Sequence, residues 1–334
     1  MTSTPAPLRQ AGPVRARLRP GTVVVVRDQD TVQVGLAPDR AVVVTAPRGC
    51  GSQGLAGLLT GLRDGSTLET AAARAGVDDD DMADMARILI RLADLGHVRL
   101  HGVGQRSDRA ESSGTGRPVA KGSDTGQDPG TGGTASRPAP IRRVHIQGAG
   151  QISEVLRGPL AVNGCRVTTA ASPGFTLDAE RPPWLRRGST PDLVILTDTV
   201  AVDPVVITAL ARTGQPHLHV HGRDGRVVVG PTVVPGITPC LRCADLFRAQ
   251  RDPRWPFVAA QLVDHSPEAA VPALTAAAAL VLSEVSASRQ PDAPLQTIGA
   301  TVEINPAEGL WRRLEWPAVP GCDCEAATYA RPLS

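Results

Sequence analysis

One lysine, Lys121, and two asparagines, Asn163 and Asn305, are all that 334 residues hold of these types, while arginine, alanine, glycine and proline abound. A phosphate site built on a lysine therefore has a single candidate position to draw on. Excess charge of either sign is also missing. With 35 Lys plus Arg against 33 Asp plus Glu, the net charge of +2 gives no general attraction to nucleic acid or to an anionic membrane. Long apolar runs are absent too: Met1 to Pro13 contain none, so no signal peptide is expected. The longest apolar stretch, Ala269 to Val285, is interrupted by Pro272 and Glu284, so no membrane span is expected. The expectation is a soluble, cytoplasmic protein.

What stands out against this background is cysteine placement. Cys240 and Cys243 sit in Pro-Cys-Leu-Arg-Cys ahead of a helical pattern, and Cys322 and Cys324 sit in Gly-Cys-Asp-Cys behind the last strand-like segment. Two close pairs supply four thiolates from two turns, which is what a tetrahedral structural zinc requires, with no position left open for catalysis. A disulfide framework is the alternative. It is disfavoured by the length of the chain, by the absence of a secretory context and by the poor geometry of Cys-x-Cys for an internal bridge.

The composition changes after His101. Residues Gly102 to Pro140 are almost wholly Gly, Ser, Thr, Asp, Arg and Pro without apolar periodicity. Such a stretch cannot offset its ordering entropy and is expected to be a disordered linker between domains at 15–101 and 141–330.

The first domain opens with β-type runs at Thr22 to Arg27, Thr31 to Leu36 and Ala41 to Thr45. Three helical patterns follow. Leu55, Leu58, Leu59 and Leu62 form one stripe; Ser66-Thr-Leu-Glu69 starts a short helix ending at Gly76; Met82, Met85, Leu89, Leu92 and Leu95 line a third, ending at Gly96. With a closing strand at Val98 to Leu100, the order is that of a small winged helix-turn-helix. Nucleic acid is nonetheless not the expected partner. The third helix would begin with Asp78 to Asp81, which suits a helix dipole and repels phosphate, and Arg15 to His101 hold eleven Arg against eleven Asp plus Glu. An exposed sheet edge suits an extended peptide instead.

This layout resembles the RiPP recognition element, the PqqD-like winged helix. The resemblance implies that a leader peptide docks between the third strand and the third helix, here Ala41, Val42, Val43, Val44 and Thr45 against Asp80 to Leu95. Arg87 and Arg91, four apart on that helix, could meet acidic leader side chains; local partnership with Asp84 and Asp94 is the alternative.

The second domain begins with a strand at Ile141 to Ile146 feeding Gly148-Ala-Gly150, the opening of a dinucleotide-type turn. Gln151 and Ser153 stand where more glycines would be expected, Gly158-Pro159 is expected to interrupt the helix, and the next strand, Cys165 to Ala170, ends without a ribose-binding acid. Pro191 to Asp198 reads as a buried parallel strand carrying Asp198 at its end. A helix at Pro204 to Arg212 leads to strands at His217 to His221 and Arg226 to Val229. A long helix is expected from Ser266-Pro-Glu to about Ser288, followed by strands at Leu295 to Ile304 and Leu310 to Trp316. The whole is an α/β fold, a doubly wound, mostly parallel sheet of Rossmann type. His217, His219 and His221 share a strand face, a spacing too weak by itself for a metal site.

The cysteine pairs, the glycine turn, Thr197-Asp198 and the segments Val234 to Leu246 and Arg251 to Pro256 resemble the ThiF family, the ubiquitin-activating-enzyme-like fold, and within it actinobacterial cyclodehydratase-domain or leader-peptide-binding proteins. The family adenylates carboxylates with ATP, and the resemblance places Gly148 and Gly150 at the nucleotide and Asp198 at its magnesium. Here Thr199 replaces the expected asparagine, the ribose acid is missing and Lys121 lies in the linker. The reading is therefore zinc bound for structure, no ATP, and no catalytic residue beyond Asp198 as a remnant. What the resemblance implies is a protein that binds a leader peptide and presents the precursor to a YcaO-type cyclodehydratase, with no DNA or membrane partner; a homodimer is compatible with it. An active adenylyltransferase and a stand-alone regulator or scaffold are the alternatives.

Overall fold

The computed structural model describes residues 15–101, 139–171, 182–185, 190–263 and 265–324, so the expected linker lies almost wholly outside the described residues. The N-terminal part comprises β1 (Arg15–Leu18), β2 (Val24–Val26), β3 (Thr31–Val34), β4 (Val42–Thr45), α1 (Gly51–Gly61), α2 (Leu68–Ala75), α3 (Met82–Asp94) and β5 (Val98–His101). β2, β3 and β4 form an antiparallel three-stranded sheet in that order. The closing strand β5 does not join it. It pairs antiparallel with β1, which sequence reading missed because its alternation, Arg-Ala-Arg-Leu, is only four residues long.

Alternation along the strands divides the three-stranded sheet into two faces. Val32, Val34 and Val44 are buried on the helical side, in one core with Leu55, Leu58 and Leu59 of α1 and Met85, Leu89 and Leu92 of α3. Leu95 falls off that stripe and is exposed, because α3 ends at Asp94 and Gly96 turns the chain at φ +78°. The cap of α2 is Thr67 rather than Ser66: its side chain accepts the Thr70 N–H at 3.2 Å. On the other face, Val23 and Val25 are buried with Val258 and Leu262 of the C-terminal part.

That part contains β6 (Arg143–Gln147), α4 (Gln151–Val162), β7 (Arg166–Ala170), β8 (Leu193–Thr197), α5 (Pro204–Arg212), β9 (His217–Arg223), β10 (Arg226–Val233), α6 (Leu241–Arg251), α7 (Trp255–Ala260), α8 (Val271–Ala287), β11 (Ala300–Asn305) and β12 (Leu310–Glu315). Seven strands make one sheet in the order β12-β11-β10-β9-β8-β6-β7. The pairings β6-β7, β6-β8 and β8-β9 are parallel, and β9-β10, β10-β11 and β11-β12 are antiparallel, so β7, β6, β8, β9 and β11 all run the same way. β8, buried at every position, reads as a continuous apolar run because both sheet faces are covered. Ile146, Ile195, Leu218, Val227 and Val302 pack with the α4 and α8 side chains, and Val194, Leu196 and Val233 with Val206 and Leu210 of α5. Among the described residues, no helix is long and apolar enough to cross a membrane.

Three boundaries differ from the sequence reading. α4 runs through Pro159 to Val162. The preceding Gly158 has no Cβ for the proline ring to strike, and Leu156 and Leu160 are both buried, which holds the last turn on the sheet. α8 starts at Val271 rather than at Ser266, which places Pro272 in the first turn where its missing N–H is harmless, while Ala269 forms a bridge with Gly225. The strand expected from Leu295 begins at Ala300.

Polar contacts join the two parts. The tight turn between β9 and β10 places Asp224 and Gly225 at φ 52° and 79°. From there the Asp224 carboxylate accepts the N–H groups of Leu36 and Ala37, each at 2.6 Å. Arg226, only 2% exposed, grips Asp39 with two bonds of 2.9 Å and reaches Glu303 at 3.2 Å. Arg27 forms a two-pronged pair with Asp252 at 2.6 and 2.8 Å.

Candidate functional site

The four cysteines come together. Cys240 caps the N-terminus of α6, where its sulfur accepts the Cys243 N–H at 3.4 Å, and the turn after β12 brings up the other pair. Sγ atoms of Cys240 and Cys322 lie 3.6 Å apart and those of Cys243 and Cys324 lie 3.4 Å apart. All four sulfurs are within 4.8 Å of one another. Zinc–sulfur bonds of about 2.3 Å in a tetrahedron require edges of about 3.8 Å, so the donors suit such an ion. Thiols packed this closely cannot all ionise without a cation. A hydrogen bond from the Cys240 thiol lowers the Cys243 thiol below its ordinary range, whereas burial pushes Cys322 up. The cluster can hold a metal ion and is compatible with zinc; it joins α6 to a turn some eighty residues later.

Gly148, Gly150 and Asp198 also converge. A Cβ on Gly148, at φ +147°, would sit 2.3 Å from Thr197 Oγ1, and one on Gly150 would sit 2.6 Å from Asp198 Oδ1. These glycines thus make room for the end of β8. Asp198, 5% exposed and at φ 63°, accepts the N–H of Ile152 at 2.9 Å and of Ser153 at 3.0 Å. Ser153 Oγ accepts the Gly150 N–H at 2.9 Å. The amides of Gly150, Ile152 and Ser153, three of those a phosphate would use at this helix N-terminus, already have partners inside the chain.

The three histidines of β9 share a buried face. His217 Nδ1 lies 2.9 Å from the Gln215 carbonyl, and His219 Nε2 lies 2.8 Å from that of Thr199. His219 and His221 stack with ring centroids 4.3 Å apart. Burial brings His217 and His219 down to about 4, so both are neutral at physiological pH. Among the described residues, the cysteines are the group of side chains that could hold a metal.

At the N-terminal sheet the two edges differ. The edge at β2 is occupied: the side-chain amide of Gln261 donates to the Val26 carbonyl at 2.7 Å and accepts the Val26 N–H at 3.1 Å. Among the described residues, β4 pairs only with β3. Ala46 N–H donates to the Asp30 carbonyl, and the register sets Val44 opposite Val32 and Val42 opposite Val34. Alternation then turns the amides of Val42 and Val44 toward β3 and those of Val43 and Thr45 outward. Val43 and Thr45 are exposed, with no partner for those outward amides among the described residues. Ala41 is exposed but donates its N–H to the Ala37 carbonyl. On α3, Arg87 pairs with Asp84 at 2.7 Å, whereas Arg91 is exposed without an ion pair among the described residues.

A cavity of about 650 Å³ was not legible in the sequence. It lies between the second face of the N-terminal sheet and the C-terminal part, with Gln33 and Leu36 on one wall and α6, α7 and β12 on the other. The chain has only four Trp, three Phe and one Tyr, yet Phe247, Trp255 and Trp316 all line this space. The Arg248 guanidinium lies 5.0 Å from the Trp255 ring centroid and 4.5 Å from that of Trp316; Arg251 lies 3.6 Å over Phe247.

No family model matches the sequence, and no curated relative does. Among solved structures, the chain is similar to the heterocyclase TruD at 16% identity, covering 94% of this chain and 43% of that one, with a TM-score of 0.37. It is similar to the E. coli microcin synthetase McbBCD complex at 10% identity, 93% and 100% coverage and a TM-score of 0.40. To E. coli MccB in a structure with AMPCPP and MccA, the figures are 14% identity, 93% and 99% coverage and 0.43. The chain spans less than half the length of the heterocyclases, 40% and 43%.

Proposed function

We propose that this protein is a ThiF-like, non-adenylating peptide-binding partner that presents a ribosomally made precursor to a YcaO-type cyclodehydratase. Residues 15–101 are its winged-helix-type recognition unit, and the leader adds as a strand beside β4. The observation that carries this reading is the asymmetry of the sheet. One edge is occupied by Gln261, while the other offers the outward amides of Val43 and Thr45 in the spacing an added strand needs. Arg91, exposed and without an ion pair among the described residues, supplies a cation on α3 for an acidic leader residue. The second domain is a scaffold locked by zinc on Cys240, Cys243, Cys322 and Cys324.

Absence of adenylation is supported by Asp198. A magnesium-binding aspartate has to present its carboxylate to the ion, but this one is 5% exposed and each of its oxygens accepts an α4 amide. No lysine or ribose acid stands nearby in the sequence. Cations around the developing charge are each worth orders of magnitude in such chemistry.

Calorimetric titration of the full chain with the leader of a precursor peptide encoded beside its gene tests the reading. Saturable binding with unit stoichiometry is the expected result. Failure of every neighbouring peptide to bind would favour the regulator or scaffold alternative.

A further inference from the structure

The cavity beside Arg248 has no part in strand addition or in the cysteine cluster, and its wall is chemically specific. Arg248 Nη1 donates to Asp245 at 3.0 Å while two indoles enclose the guanidinium, which fixes its plane. Its remaining N–H donors have no partner among the described residues. Arg251 is held over Phe247 and forms no ion pair among the described residues. The acids of the same wall are already matched: Asp252 by Arg27, and Glu315 by Arg313 at 2.6 Å. Arg248 is matched by Asp245 and Arg223 by Glu303, which leaves Arg251 as the cation of this wall without an ion pair among the described residues.

Two buried polar atoms on that wall also lack partners. His221, 5% exposed, has an unsatisfied Nδ1, and Arg223 has an unsatisfied Nε. Both atoms are closed off from solvent, so the donors a ligand could reach on this wall are those of Arg248 and Arg251. Beside them stand Leu36, Val200 and Leu314, an apolar surface suited to a side chain next to the acceptor. Guanidinium groups in fixed planes match the flat, two-oxygen geometry of a carboxylate.

The location ties the cavity to the peptide. Gln33, on its wall, stands directly opposite Val43 in the β3–β4 register, one strand in from the β4 edge. We propose that this cavity binds a peptide carboxylate together with an adjoining apolar side chain, with Arg248 and Arg251 as the cations. That the ligand is a peptide rests on the function proposed above; the carboxylate specificity rests on the cavity alone.

The probes are N-acetyl-leucyl-leucine as the free acid, the same dipeptide as its C-terminal amide, and N-acetyl-leucyl-glutamyl-leucinamide, each titrated into the full chain while tryptophan emission is followed. Either carboxylate-bearing probe should saturate at least tenfold more tightly than the neutral amide. Which one does so identifies a terminal or a side-chain carboxylate as the natural group. Arg251→Gln, at an exposed residue, should remove most of that preference, and Arg248→Gln should do the same if the variant folds. Equal binding of acid and amide, no saturable binding of any probe, equal competition by inorganic phosphate, or an unchanged preference in Arg251→Gln would overturn the proposal. These probes are too short to occupy the β4 edge, so their failure would leave leader binding standing, and failure of leader binding would leave the cavity result readable.

Discussion

The Asp198 carboxylate accepts the backbone N–H of Ile152 at 2.9 Å, closing the N-terminus of α4 with a group from the end of β8. Such a cap is worth about 1–2 kcal/mol. Asp198→Ala should lower the thermal midpoint of the protein accordingly. Magnesium ATP should leave the wild-type midpoint where it is, because the amides are already engaged. Pyrophosphate exchange by the wild type that disappears in Asp198→Ala would contradict this.

Removal of the metal should loosen the C-terminal part selectively. Purified protein should carry about one zinc per chain, since four thiolates complete a structural site. Chelation should release the turn at Cys322 and Cys324 and raise hydrogen exchange in α6, with β2–β4 and α1–α3 less affected. Elemental analysis without zinc, together with pairwise oxidised thiols, would rule the site out.

Acid should weaken the contact between the two parts. The bond from Arg226 holds Asp39 down to about 2 from its ordinary 3.8. A depressed carboxylate contributes stability that is present above pH about 4 and is lost as pH falls toward 2. Interdomain protection of the 36–40 segment should therefore fall across that window. In Asp39→Asn the same segment should start less protected and respond less to pH in that range. An identical acid response in the two proteins would show that this pair does not hold the interface.

What could be read in the sequence depended on how local the cause is. α5 is legible at Pro204 to Arg212 because the helix is short and its cause local: Asp203 caps it and Pro204 opens it. The cysteine cluster was legible because each pair is short. The start of α8 was misplaced since Pro267 and Pro272 offer competing first turns, and only the bridge of Ala269 to Gly225 decides between them. Sequence also left open which face of β4 is buried; Val44 is inside and Val43 outside because α1 and α3 cover one side. The cavity escaped notice because Phe247, Trp255 and Trp316 are spread over seventy positions, and a stack between an arginine and two distant indoles has no periodicity. The contact of Arg226 with Asp39 was hidden for the same reason: it joins residues nearly two hundred apart.

Amide-resolved hydrogen exchange of the full chain, with and without a bound leader peptide, addresses strand addition at β4 most directly. In the free protein the amides of Val42 and Val44 should be protected by β3, and those of Val43 and Thr45 should exchange freely. Leader binding should protect Val43 and Thr45. Val43→Pro should abolish both binding and that protection without unfolding the sheet, because an edge strand tolerates a proline whose missing N–H faced outward. A leader that binds tightly to Val43→Pro, or that leaves the amides of Val43 and Thr45 as exchangeable as before, would contradict the account.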